Sequence, residues 1–362
     1  MKTIFIIILI LIIFLILLYE HFNTHNKFYS LNLYTNNNLT LKPIKKIDLS
    51  QTYNFSVDDK MQNFKTANIS VIPLNNFFLC VIRITNCYTD FNLEKIFQSK
   101  LNVINYQKLI LMDNNFNIII EKILDLDLDC EDIRLFNYNE KIMFSCNYFD
   151  KDKKIFNVMI CEFDNNLNII KIIKPDTKFK MIKNNDEKVP EYIKNIEYLY
   201  INIFKNESVK NYIINLHKWE KNWTLVEYKK SIHIIYKWYP LHICKINDKT
   251  NELELVELKN MPDNFAFCRG STNGFKYENT IWFIVHKTTN YKQYYHMLVI
   301  FDKSMNLKGY IYDFKFEDCI IEFCLGLIIQ ENQIIITYST YDANCKIAIY
   351  DKKYILSLVK WI

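Results

Sequence analysis

At 362 residues, half of them apolar and 15% aromatic, the chain can bury an ample core as one large domain or two ordinary ones. Its net charge of +5 is spread without a basic block, so the concentrated stripe expected of a nucleic-acid surface is missing and no nucleic-acid partner is expected. Three of its 45 basic residues are arginines, Arg83, Arg134 and Arg269. In a chain that otherwise uses lysine, each marks a place where a planar, always-charged fork is needed for carboxylate, phosphate or sugar hydroxyls.

Ile4 to Leu18 is an unbroken apolar run behind Met1, Lys2 and Thr3. As a helix it spans roughly 22 Å, short of the ~30 Å hydrocarbon core, with Thr3, Tyr19 and a snorkelling Lys2 making up part of the difference. A cleaved signal peptide needs a small-residue cleavage site, yet no Ala, Gly or Ser precedes Ser30. Residues 1–20 are therefore read as a transmembrane signal anchor, with residues 3–19 in the membrane. Lys2 favours a cytoplasmic N-terminus, which puts the rest of a single-pass protein in the lumen of the endoplasmic reticulum or Golgi, or outside the cell. Residues 21–59, polar and Asn-rich, read as a stalk and lead-in. Sequons start at Asn38, Asn54, Asn68, Asn206 and Asn222 and would be usable as glycosylation sites in that compartment.

From residue 60 onward β signals dominate, as short Ile, Val, Phe and Tyr runs punctuated by Asn and Asp. The best helix candidate, Glu191–Tyr200, is short. A repeat decides the architecture. The stretch from Lys108 through Asp113-Asn-Asn-Phe-Asn resembles the one through Asp164-Asn-Asn-Leu-Asn and the one through Asp302-Lys-Ser-Met-Asn, with looser copies at Asn247 and Asp351. Each reads as a strand, an Asp/Asn turn and a second strand. Five such hairpins predict an all-β fold, a five-bladed β-propeller over residues 60–362, with a β-sandwich as the alternative.

Cys130-Glu131-Asp132-Ile133-Arg134 places an acid pair and a rare arginine between two strand-like runs. Arg83, flanked by apolar residues on both faces of its strand, is expected to be buried and partnered. Lys221 stands beside two tryptophans, where it can snorkel over an aromatic surface. Glu322 lies in an apolar strand and needs a partner. Ten cysteines show no CxxC or zinc-like spacing; Cys80, Cys146 and Cys161, inside apolar strands, read as small buried hydrophobes, and no metal site is expected. Asp125-x-Asp127-x-Asp129 contains the Asp-x-Asp dyad of metal-dependent glycosyltransferases, but an alternating strand with one polar face explains it equally well.

In order along the chain, Asn68-x-Ser70 with Arg83, Glu131-Asp132-x-Arg134, Glu220-Lys221-Asn222-Trp223, Arg269-Gly270-Ser271-Thr272, His286-Lys287 with Tyr294-Tyr295-His296, and Glu322-Phe-x-x-Gly326 resemble the motifs of glycoside hydrolase family 130 and the related β-mannosyltransferase and mannoside-phosphorylase-like proteins. The resemblance runs from about residue 66 to residue 350. It implies a five-bladed propeller with a sugar site at its central channel, acting on β-mannosides by inverting phosphorolysis, by transfer or by hydrolysis. It implies a catalytic general acid at Asp132, and sugar or phosphate contacts at Arg83, Arg134, Lys221, Asn222, Tyr236, Arg269, His286, Tyr295 and His296. At Gly270 the missing side chain would let substrate approach the backbone. Glu322 and Asp342 fall on late motif positions. The partners implied are a mannose-containing glycan and phosphate or a sugar-phosphate as co-substrate, with no other cofactor.

Three positions depart from the family pattern. Ile133 replaces a proline, Ser271 a second glycine, and Leu241-His242 shifts a Pro-His pair by one residue. Phosphorolysis depends on a full set of cations, so these departures weigh on it more than on sugar binding. A non-catalytic glycan-binding propeller is the competing expectation.

Overall fold

The computed structural model describes residues 39–89, 95–97, 103–124, 130–150, 155–164, 166–176, 221–288 and 293–362. The apolar run at the N-terminus, the Glu191–Tyr200 helix and the Asp-x-Asp dyad lie outside them. Among the described residues no helix is long and apolar enough to cross a membrane.

The fold is all-β and propeller-like, built from antiparallel meanders that follow one another along the chain. Thr52–Val57, Lys60–Leu74, Phe77–Thr85, Asn105–Asp113 and Ile118–Leu124 form the first sheet. Cys130–Tyr138, Lys141–Asp150, Ile155–Phe163 and Ile169–Ile173 form the next, followed by Thr224–Tyr228, Ser231–Trp238, Leu241–Ile246 and Leu253–Lys259. The sheet after that contains Arg269–Gly270, Phe275–Tyr277, Thr280–Thr288, Tyr294–Asp302 and Leu307–Lys315. In the last, Glu322–Ile329, Gln333–Thr340 and Asn344–Asp351 are joined on their outer edge by Lys45–Asp48 from the start of the described chain.

That pairing corrects the expected stalk. Leu39–Thr40 adds in parallel to Leu307–Lys315, and Thr52–Val57 pairs with Lys60–Leu74, so residues 39–59 belong to the sheets. The edge of the last sheet would otherwise be open, and an unpaired row of backbone groups there is costly.

The repeated turns owe their shape to one carboxylate each. Asp113 Oδ1 accepts from the Asn115 and Asn117 amides at 2.8 Å. Asp164 does the same with Asn166 and Asn168, and Asp302 with Ser304 and Asn306. The left-handed residue is the one before the last Asn: Phe116, Leu167 or Met305, with φ of 68°, 62° and 58°. Asn247 makes a related turn through Lys249 and Thr250. The fifth copy differs. Asp351 caps a short helix, Lys352–Ser357, by accepting from the Tyr354 amide, because the fourth strand of its sheet comes from the N-terminal side instead.

Apolar residues on both faces of the inner strands bury each sheet against its neighbours. Ile72, Val81 and Leu109 pack with Leu135, Phe144 and Met159; Phe136 and Ile160 pack with Trp223 and Ile234. Val226 and Trp238 meet Phe283 and Val299, and Ile284 and Leu298 meet Ile336 and Tyr350. Val71 and Ile110 then meet Ile335 and Ile347, which joins the first sheet to the last. Cys80, Cys146 and Cys161 are free thiols, buried as small hydrophobes.

Candidate active site

Asp132 lies near the start of Cys130–Tyr138, the first strand of its sheet. It sits in a β-bulge: Glu131 pairs with Asn147 and Arg134 with Ser145, so two residues oppose Cys146 alone. The bulge puts Asp132 at φ 58° and lets Ile133 drop into the core between the first two sheets. Bulges re-aim side chains where a regular strand would alternate them away. Here the carboxylate turns out of the apolar layer that Cys130 and Ile133 occupy.

Its partners come from distant parts of the chain. Asn68 Nδ2 donates to Asp132 Oδ1 at 2.5 Å, and Asn147 Nδ2 to Oδ2 at 3.1 Å. Arg83 Nη1 approaches Oδ1 at 3.5 Å while its Nη2 lies 3.4 Å from Glu131 Oε2 and its Nε donates to Asn105. Lys221 is ion-paired with the other Glu131 oxygen, and its Nζ lies 3.4 Å from the centre of the Phe156 ring. Asn68 in turn accepts from Ser339 Oγ. Arg83 is buried and partnered as expected, and Lys221 caps the ring of Phe156.

The electrostatics run against a proton resting on Asp132. Burial pushes its carboxyl up, yet the charges of Arg83, Arg134 and Lys221 and the Asn68 amide outweigh that and hold it below the usual carboxylate range. Burial likewise opposes the charge on Arg83, and Glu131, Asp132 and Asp342 more than restore it. Tyr294 faces the same cluster: burial, then the charges of Asp342 and Asp132, push its phenol up to about 12. It stays a neutral donor at physiological pH.

Arg134 is wholly buried, and each of its nitrogens is committed to the protein. Nε donates to the Ser271 carbonyl at 2.7 Å, Nη1 to the Asp132 carbonyl at 3.0 Å and Nη2 to Asn222 Oδ1 at 2.8 Å. It ties three sheets together beneath Asp132 and keeps no nitrogen for a ligand. Arg269 is the opposite case: it is exposed, and its side chain makes no hydrogen bond or ion pair to the described residues.

At Gly270 the expected reason for glycine is corrected. A Cβ there would overlap the Asn222 carbonyl oxygen and Thr224 Cγ2, so the empty space admits a neighbouring strand and not a substrate. Gly270→Ala should therefore cost roughly 1–3 kcal/mol by overpacking, read as a lower denaturant midpoint. An unchanged midpoint would mean that the two strands are free to part.

His286 faces the site. Its Nδ1 lies 2.8 Å from Ser271 Oγ, its ring stacks on Tyr294 at 5.7 Å, and burial, reinforced by the Arg269 and Arg134 charges, holds it neutral. His296 does not face it. Fully buried between Phe314 and Phe316, with no well-formed hydrogen bond on either ring nitrogen, it is part of the aromatic core. Burial drops its pKa to about 3 from an ordinary 6.5. The unfolded chain thus takes up a proton first, and stability present above pH 6.5 is lost as pH falls toward 3. At about 1.4 kcal/mol per unit, the loss from His296 between pH 6.5 and 5 is about 2 kcal/mol. Denaturation of wild type and His296→Leu at pH 7 and pH 5 reads this directly: the variant should lose less stability, and equal losses would refute the assignment.

Four other expected site residues are placed apart from Asp132 or only at its edge. Tyr295 points to the opposite face of its strand from Tyr294, under Lys315 and against Gln293. Glu322 is buried but clamps a loop, accepting from the Phe316, Glu317 and Cys319 amides at 2.7–2.9 Å. Tyr236 packs edge-on against Trp223, one ring removed from Asn222. Asp342 lies on the turn between the last two strands, near enough to act on Arg83 and Tyr294. Two sequons are also corrected: Asn68 is buried against Asp132 and Asn222 holds Arg134, so neither side chain is available for a glycan.

No protein-family model matches the sequence, and no curated protein matches it. Solved structures match by fold. A glycosyl hydrolase from Bacteroides ovatus superposes with a TM-score of 0.53 at 10% identity, over 88% of this chain and 92% of its own. The β-1,2-mannobiose phosphorylase of Listeria innocua, in complex with β-1,2-mannobiose, gives 0.51 at 10% identity over 90% and 98%. A structure from the GH130 family of mannoside phosphorylases, which contains glycoside hydrolases that target β-1,2 mannosidic linkages in Candida mannan, gives 0.50 at 9% over 88% and 93%. The fold is that of the GH130 mannoside phosphorylases and related glycoside hydrolases.

Proposed function

We propose that this chain is a five-bladed propeller that binds β-mannosides at the Asp132 mouth and transfers a mannosyl group between phosphate, or a sugar-phosphate, and an acceptor sugar. The five successive sheets and the apolar cluster joining first to last support the blade count. One observation carries the site: donors from distant stretches, Asn68, Arg83, Asn147 and Lys221, meet on the adjacent carboxylates Glu131 and Asp132. Side chains so far apart in sequence do not converge on one buried acid without a structural or chemical need, and Asp132 and the exposed Arg269 both act on Tyr294, an arrangement that suits proton transfer near a phosphate.

In the transfer direction, Asp132 takes the proton of the acceptor hydroxyl as that oxygen bonds to the anomeric carbon and phosphate departs with the electron pair. Phosphorolysis is the reverse, with Asp132 returning the proton to the leaving oxygen. Arg269 is the cation free for the phosphate, because Arg83 and Lys221 already neutralise Glu131. The apolar run of residues 4–18 would tether the propeller to a membrane with its mouth on the lumenal or extracellular side. Incubation with mannose 1-phosphate or GDP-mannose and a mannose acceptor tests the reading; a mannosylated acceptor is expected, and no product with either donor refutes turnover.

A second reading, glycan binding without turnover, is favoured by Asp132 itself. Both of its oxygens already accept hydrogen bonds, and the carboxyl is held ionised. That reading predicts binding of β-1,2-mannobiose and other mannosides that survives Asp132→Asn.

A further inference from the structure

Phe149 and Phe156 stand beside the site with no role in the reading above. Phe149 is 39% exposed, a large apolar ring left in water. Three aromatic rings are exposed to this degree among the described residues, Phe77, Phe149 and Trp361; Phe77 begins the strand of Arg83 and lies six positions from it, whereas Phe149 lies next but one to a donor to Asp132. That donor is Asn147, two positions earlier, so the two side chains share a face of Lys141–Asp150. They are about 6.8 Å apart along the strand, a separation comparable to one sugar unit.

Phe156 is the register partner of Phe149, with ring centres 5.1 Å apart and tilted by 60°. Its own ring is covered by the Lys221 ammonium, which is ion-paired with Glu131. One face of Phe156 is therefore fixed by the charged cluster, and Phe156 in turn props Phe149. Isolated apolar residues on a surface need no explanation. This ring is instead the end of a continuous series that runs Asp132, Glu131, Lys221, Phe156, Phe149. A pyranose presents an apolar face of C–H bonds and an equator of hydroxyls, and a ring next to a cation and carboxylates meets both.

We propose that Phe149, braced by Phe156, is the platform on which the second sugar of a mannoside stacks, so that this face of the mouth sets preference for a disaccharide over a single mannose unit. The proposal rests on the mannoside reading given above. Calorimetric titration of the purified full chain with β-1,2-mannobiose and with methyl β-mannoside tests it through the ratio of the two affinities. Removing about 55 Å² of apolar contact corresponds to roughly a tenfold effect, so Phe149→Ala should lower the ratio by about tenfold and Phe149→Trp should keep it. A wild-type ratio in the alanine variant, or a tryptophan variant as poor as alanine, overturns the platform alone. A wild-type protein that binds neither sugar overturns the mannoside reading and the platform with it.

Discussion

Asp132→Asn is expected to lower mannosyl transfer by 10²- to 10⁴-fold, the range that a positioned acid or base contributes, while the protein stays folded. The change removes the proton-accepting charge but leaves Arg83 held by Glu131 and Asn105; the new amide has a single oxygen, so one of Asn68 and Asn147, which donate to separate oxygens of Asp132, keeps its acceptor. The resting carboxyl is held ionised, so in the transfer direction it has no proton to lose before it takes one up, and that direction is the one to assay first. Initial rates with mannose 1-phosphate and an acceptor, alongside the denaturation midpoint, separate chemistry from folding. Full activity in Asp132→Asn would remove Asp132 from the reaction.

Arg134→Met is expected to cause the largest loss of stability, about 3–5 kcal/mol. The guanidinium is buried, and its removal leaves the Ser271 carbonyl, the Asp132 carbonyl and Asn222 Oδ1 each without a donor in a site that excludes water. Arg134→Lys should recover only part of this, since a single ammonium cannot span three acceptors in a fixed fork. Equilibrium denaturation of both variants checks the order wild type, Lys, Met. A methionine variant as stable as wild type would mean that these acceptors find other donors, and that Arg134 is not the link between sheets.

Much of the architecture was legible in the sequence because one local signal repeats. The Asp113, Asp164 and Asp302 turns each need a side-chain acceptor followed by small polar residues, and that need is written in adjacent positions. The Asp351 copy misled because its turn chemistry serves a helix cap equally well. Lys45–Asp48 was hidden for a different reason: a strand that completes a sheet from the far end of the chain has no local partner to announce it.

In the site, the arginines and Asp132 stood out against a lysine-rich background, but rarity does not distinguish a lining residue from a buried tie. Arg134 proved to be the tie and Arg269 the exposed cation. Asn105, Asn147 and Ser339 were invisible, since buried asparagines look like any others in an Asn-rich chain and their value depends on the register that sets Asn147 opposite Glu131. The motif assigned the contact to Tyr295, and only the pleat shows that its neighbour Tyr294 is the one that faces Asp342 and Asp132. His296 carried a motif position into the aromatic core, where its role is packing.

The most direct measurement is a crystal structure of the protein soaked with β-1,2-mannobiose. The account predicts one mannose ring within hydrogen-bond reach of Asp132 and Arg83, with the second ring toward Phe149. A sugar bound elsewhere, or a mouth that stays empty at saturating ligand, would contradict it.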